Sequence, residues 1–198
     1  MPATDTASEA RAFMRVHEHE PIHAEQVTRL ALQIFDQLQA VHRLEPRQRE
    51  LLEAASLLHD TGWSVAVNGS AHHKESAKLI RSFSWTTLKK DEIDLVAQIA
   101  RYHRKKMPTE EHAPFAALSP DQKKIVRSCA ALLRVADAFD RSHVSIVHRI
   151  DLRKTVRGWM AGLTSPESCV SEIAAFEKKR DLFEHHFATP IDAEVTAD

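Results

Sequence analysis

Four stretches of this chain carry apolar residues at helical spacing, and each stripe meets a histidine or an aspartate. His23 precedes the stripe Val27, Leu30, Ala31, Ile34, Leu38 and Val41. Leu51, Leu52, Ala55 and Leu58 lead into His59, and Ile93, Val96, Ala97 and Ala100 lead into His103. Val126, Cys129, Ala130, Leu133 and Ala136 have Asp137 at their edge. Residues three or four apart share a helix face, so these stripes must be buried against one another as packed helices. Only 4 glycines interrupt 198 residues, and Leu, Ala, Glu and Arg are frequent. A mostly α chain follows.

The apolar period places helices near 8–17, 23–42, 47–60, 73–84, 91–104, 119–141 and 166–187. Pro46 opens the third and Gly62 follows its end, while "SPDQKK" and "SPES" pair an N-cap serine with a proline at the first helical position. Residues 144–164 concentrate Val, Ile, Thr and Trp around Gly158 and Gly162, which predicts a short β-hairpin. The loop 105–118, with Pro108 and Pro114, reads as a flap, and 1–8 and 189–198 as frayed ends.

Composition excludes several classes. Lys plus Arg number 27 against 28 for Asp plus Glu, so the net charge points to neither DNA, RNA nor a membrane surface. Two cysteines, Cys129 and Cys169, are too few for a disulfide framework or a thiolate metal site. The N-terminus lacks the basic and apolar regions of a signal peptide, and no apolar run approaches the roughly 20 residues of a membrane span. The expected location is cytoplasmic. No Ser-His-Asp spacing or Gly-rich phosphate loop occurs, and Trp63, Trp85 and Trp159 are read as packing residues. His17 and His19 are read as solvent-facing in a turn.

The 13 histidines carry the functional signal. One histidine on an apolar face is usually a core residue with a satisfied hydrogen bond. Several helices aiming a polar residue inward is a different matter. A buried carboxylate needs a partner, because desolvating an unpaired charge is costly. Asp60 and Asp137 therefore ask for a cation, and neutral imidazole with carboxylate suits Zn, Mn, Fe or Ni. His59 and Asp60 are adjacent, hence rotated by about 100° about the helix axis. At a helix end that Gly62 terminates, both can still reach one point, with space left beyond it.

With "HAEQVTRLA", "LLHDTGW", "HHKESAKLI", "ARYHRKKMP" and "ALLRVADAFDRSH" in view, the chain resembles the HD superfamily of metal-dependent phosphohydrolases. More narrowly it resembles the C-terminal HD domain of the Ppx/GppA exopolyphosphatase and guanosine pentaphosphatase family, over roughly residues 15–188, with "FEKKRDLFEHHF" fitting the end of that domain. The resemblance implies a single HD-type helical domain over 1–198. It implies that His23, His59, Asp60 and Asp137 hold one metal, and that His73 and His103 help hold a second with Asp60 bridging. His73 is preferred to its neighbour His72 because it shares a face with Ala77 and Ile80. Glu75 stands where the family commonly has another histidine. The actin-like nucleotide-binding region that carries the polyphosphate chemistry of the family is not in this sequence, so exopolyphosphatase activity is not implied.

The leading expectation is a phosphohydrolase acting on a nucleotide or another phosphate ester or anhydride, with one or two divalent metals (Mn, Fe, Ni, Zn, Co or Mg) activating water. Asp60, Lys74 and Arg104 are the catalytic candidates, and Lys74, Arg104, Lys105 and Arg141 the substrate-binding ones. Arg127, Arg134 and Arg141 recur at seven-residue spacing and could clamp phosphate or form a solvated face. Two alternatives stay open: a non-catalytic regulatory or nucleotide-binding module, and a di-iron oxygenase. Expected partners are a small phosphorylated substrate, and a homodimer or a protein carrying the missing catalytic region.

Overall fold

The computed structural model describes residues 5–104 and 106–196. The helices are α1 (Thr6–His17), α2 (Pro21–Gln37), α3 (Gln39–His42), α4 (Pro46–Leu58), α5 (His72–Ser82), α6 (Lys90–Arg101), α7 (Ala113–Ala116), α8 (Pro120–Ala138), α9 (Val170–Lys179) and α10 (Asp181–Phe187). Two 3₁₀ turns, Thr61–Ser64 and Val67–Gly69, join α4 to α5. The strands are β1 (Arg149–Lys154), β2 (Trp159–Thr164) and β3 (Ile191–Thr196). The mostly helical expectation holds.

Local chemistry sets the helix starts. Asp5 accepts the Ser8 amide at 2.7 Å to cap α1, and Ser119 with Gln122 forms a capping box at α8. Pro46 occupies the first turn of α4, where its missing N–H costs nothing. The apolar stripes of α2, α4, α6 and α8 meet in one cluster with Phe35, Phe115, Phe139 and Phe176. Such burial stabilises by about 25 cal/mol per Å² of apolar surface. The α2 stripe stops short of expectation: the helix breaks at Leu38, which is buried, and Val41 on α3 is 38 % exposed.

The sheet is larger than the expected hairpin. β1 and β2 pair antiparallel, and β3 pairs parallel to β2 to give the order β1-β2-β3. A parallel pair needs a long crossover, which α9 and α10 supply. Residues 191–196 are thus a strand, not a frayed end, and the expected helix 166–187 divides at Arg180. Gln33 and Gln37 of α2 bind the backbone of Ile150 and Leu152, tying β1 to the helices. The 106–118 connection is not a free flap: Phe115 is fully buried, with Arg127 4.8 Å above its ring. Among the described residues no helix is long and apolar enough to cross a membrane.

Candidate metal centre

The ends of five helices converge. His23 lies in the first turn of α2, His59 caps the end of α4 and Asp60 follows it, and His72 opens α5. His103 lies just past α6, and Asp137 in the last turn of α8. His23, His59, His72, His103 and Asp137 are all buried.

Each imidazole is held by its Nδ1. His59 Nδ1 donates to the Ser56 carbonyl at 2.7 Å, His103 Nδ1 to Ala100 at 2.7 Å and His72 Nδ1 to Gly69 at 3.1 Å. The Ser56 and Ala100 carbonyls belong to the last turn of their helices, where acceptors outnumber the intrahelical donors. His23 Nδ1 donates to Asp140 at 2.8 Å. Donation from Nδ1 fixes the tautomer and leaves the Nε2 lone pair for the interior, the usual orientation of a ligating histidine.

Two groups result. His23, His59 and Asp137 form one; Asp60, His72 and His103 form the other; within each, one ligand atom per residue lies within 4.8 Å of the others. The groups touch: the His59 and His103 rings are 4.9 Å apart, and His59 Nε2 is 3.7 Å from Asp60 Oδ2. Asp60 Oδ1 sits 3.2 Å from His72 Nε2 and 3.3 Å from His103 Nε2 without hydrogen-bond alignment. His23 Nε2 and His59 Nε2 also have no hydrogen-bond partner. Buried polar atoms are rarely left so, and these nitrogen and oxygen donors fit a divalent cation.

The electrostatics agree. Burial opposes the charge on Asp60, yet the His59, His72 and His103 imidazoles hold its carboxyl well below the usual range. Burial likewise opposes Asp137, and Lys179, His103 and His59 outweigh it. Burial pushes His103 down to about 3, against the opposing pull of Asp60. Burial also works against a charged His23, but Asp140 and Asp137 raise its pKa on balance.

The groups open into a cavity of about 920 Å³. Arg104, Arg141, Lys178 and Lys179 bring positive charge to its wall, and Glu18 and Glu20 negative charge. Lys179 Nζ donates to Asp137 Oδ2, and Arg104 donates to His72 Nε2 at 3.0 Å.

The structure thus brings together His23, His59, Asp60, His103 and Asp137, but pairs them with His72 where the sequence pointed to His73. The reason is the helix register. Ala71, at φ 59°, turns the chain into α5 so that His72 and Ser76 share the face toward α4. Ser76 Oγ donates to the His59 carbonyl at 2.7 Å and accepts the Gly62 amide at 2.9 Å. His73 turns away and lines a second, smaller cavity. Gly62 serves contact more than open space: a Cβ there would fall 2.1 Å from the His72 carbonyl. Its small size lets α5 approach closely enough to bring His72 beside Asp60.

Lys74 also departs from expectation: it is exposed and faces the smaller cavity. Arg104 borders both cavities, and Arg141 the larger. Lys105 lies outside the described residues. The arginine line breaks up, since Arg127 stacks on Phe115 and Arg134 is buried with Asp181 at 2.6 Å. Sequence reasoning missed Asp140, Lys178, Lys179, Trp63 and His143. Trp63 stacks on His72 at 4.2 Å and His143 on His23 at 3.8 Å. Asp140 had a signal, three residues from Asp137; the lysines on α9 had none nearby. No curated protein matches the chain at a significant level. The family description "Ppx/GppA phosphatase, domain III" matches residues 7–173, and with most of its length covered the chain belongs to the Ppx/GppA phosphatase domain III family.

Proposed function

We propose that the chain is a metal-dependent phosphohydrolase of the HD type, acting on a nucleotide or another phosphate ester or anhydride. The observation that carries this is the pair of abutting ligand groups, with orphaned His23 Nε2, His59 Nε2 and Asp60 Oδ1, whose Asp60, His72, His103 and Asp137 line a cavity together with Arg104, Arg141, Lys178 and Lys179. His23, His59 and Asp137 would hold one divalent cation, and Asp60, His72 and His103 a second. A cation so held supplies Lewis acidity and lowers the pKa of bound water.

The chain's own groups do the rest. Asp140 orients His23, and the Ser56, Gly69 and Ala100 carbonyls orient the other imidazoles. Arg104, Arg141 and Lys178 bind phosphoryl oxygens and offset the charge that develops on them. Lys179, which donates to Asp137 Oδ2, would be free to turn toward substrate if that carboxylate held a cation.

A second reading has an observation behind it. Lys179 on Asp137 and Arg104 on His72 are protein cations already paired with proposed ligands, as suits a nucleotide-binding regulatory module that uses no metal. The test is a phosphohydrolase screen of the purified chain with Mn, Ni, Zn or Fe. Metal-dependent turnover lost in Asp60→Ala supports hydrolysis. Nucleotide binding without turnover, unchanged by chelator, supports the module. Oxygen consumption by an iron-loaded sample would replace both with an oxygenase.

A further inference from the structure

Beside the larger cavity lies one of about 330 Å³, shaped by Lys74, Arg101, Arg104, Lys106, Tyr102 and His112. That is about ten times the share of liquid volume taken by one water, roughly 30 Å³. Among the described residues its wall holds four cations and no carboxylate. Several arginines elsewhere are paired: Arg11 with Glu25, Arg47 with Glu92, Arg49 with Asp36, Arg81 with Asp94, Arg153 with Glu194 and Arg180 with Asp192. No such ion pair is found among the described residues for Lys74, Arg101, Arg104 or Lys106.

Like charges gathered in one concavity raise a local positive potential that favours anions. The field is felt within the wall. Tyr102 and His112 are joined at 2.8 Å between Oη and Nδ1, and the pKa of His112 is lowered by burial and then by Arg101, Lys106 and Lys74, against the opposing charge of Glu111. His112 is therefore neutral, and the positive charge of the wall comes from the lysines and arginines.

We infer that the smaller cavity is a second anion site that takes a phosphate-class group, with Arg104 as the wall it shares with the larger cavity. Two sources share that chemistry: a distal phosphoryl group of a ligand that also occupies the larger cavity, or a separate small phosphorylated effector. The site stands on its own geometry; the spanning arm alone rests on the larger cavity being a phosphate site.

The test is calorimetric titration of the full chain with sodium tripolyphosphate and with sodium orthophosphate, before and after treatment with EDTA. Tripolyphosphate binding should survive EDTA and weaken as salt rises. In the Lys74→Gln/Lys106→Gln variant, which changes two exposed side chains, affinity should fall about tenfold, as for loss of two screened charge contacts. Circular dichroism checks its fold, and Arg101→Gln repeats the test from another element. If Arg141→Gln/Lys178→Gln weakens tripolyphosphate equally, one ligand spans both cavities; if it does not, the smaller cavity holds a separate anion. No binding to the native chain, or undiminished binding to the folded variants, overturns the site. Failure of the hydrolase reading would look different: no metal and no turnover, with anion binding intact.

Discussion

Helix α4 has a buried polar cluster at each end, and the two are built in opposite ways. At its start, Arg47 donates to both Glu92 oxygens at 2.7 Å, to the Thr87 carbonyl at 3.0 Å and to Thr6 at 3.1 Å. Close by, Glu9 accepts the amides and hydroxyls of Thr86 and Thr87 at 2.6–3.0 Å. Every strong donor meets an acceptor, and the result is a clamp joining α1, α4 and α6. At the other end, His59 and Asp60 also gather partners from distant elements, yet His23 Nε2, His59 Nε2 and Asp60 Oδ1 remain without hydrogen bonds. A satisfied cluster stabilises the fold; an unsatisfied one keeps binding capacity at the fold's expense. That contrast supports the second end of α4 as the candidate site.

The contrast can be broken by substitution. His59→Ala or Asp60→Asn should lower metal affinity by more than about 100-fold, since outer partners alone typically contribute 10–100-fold. Equilibrium dialysis with Mn or Zn measures this. Asp140→Asn keeps an oxygen for the Ser145 amide, which Asp140 Oδ1 accepts at 2.8 Å, but loses the acceptor for His23 Nδ1. Its metal affinity should fall about 10–100-fold, the range for an orienting partner. Retention of native affinity in this variant would show that His23 needs no orientation.

Arg47→Gln should do the reverse: roughly 1–3 kcal/mol of stability lost in urea unfolding, from stranded acceptors on Glu92 and Thr87, with metal affinity unchanged. A smaller effect separates the clamp by pH. Burial opposes ionisation of Glu9, but the Thr86 and Thr87 donors more than offset it and hold the folded pKa below 4.5. The folded chain then binds fewer protons than the unfolded chain near that pH. The contribution of Glu9 is complete above 4.5 and is lost as pH falls through the lowered folded value. Unfolding midpoints at about pH 6 and about pH 3 should differ less in Glu9→Gln than in the native chain; an equal difference would remove Glu9 from the clamp.

Much of this was legible in the chain, because the apolar period fixes which face of each helix turns inward. His23, His59, His103 and Asp137 fall on or at the edge of those faces, Asp60 follows His59 at a helix end, and the five do converge. The choice between His72 and His73 was not legible, since it turns on the left-handed Ala71 and on Ser76 reaching a turn fourteen residues earlier. Apolar neighbours pointed to His73, whereas a polar contact set the register. Lys178 and Lys179 escaped notice because a later helix brings them to the cavity, which no local pattern encodes. The β3 strand was readable in principle: Ile191, Ala193 and Val195 alternate with Asp192 and Glu194. Its place at the end of the chain outweighed that signal.

If the open end of α4 is a metal centre, the metal content of each chain will show it. Plasma mass spectrometry of untagged protein, purified without chelator and then loaded with Mn, Ni or Zn, is the measurement. A metal centre at His23, His59, Asp60, His72, His103 and Asp137 predicts about one or two equivalents, reduced in Asp60→Ala and unchanged in Arg47→Gln. No retained metal after loading, or the same content in Asp60→Ala as in the native chain, would contradict it.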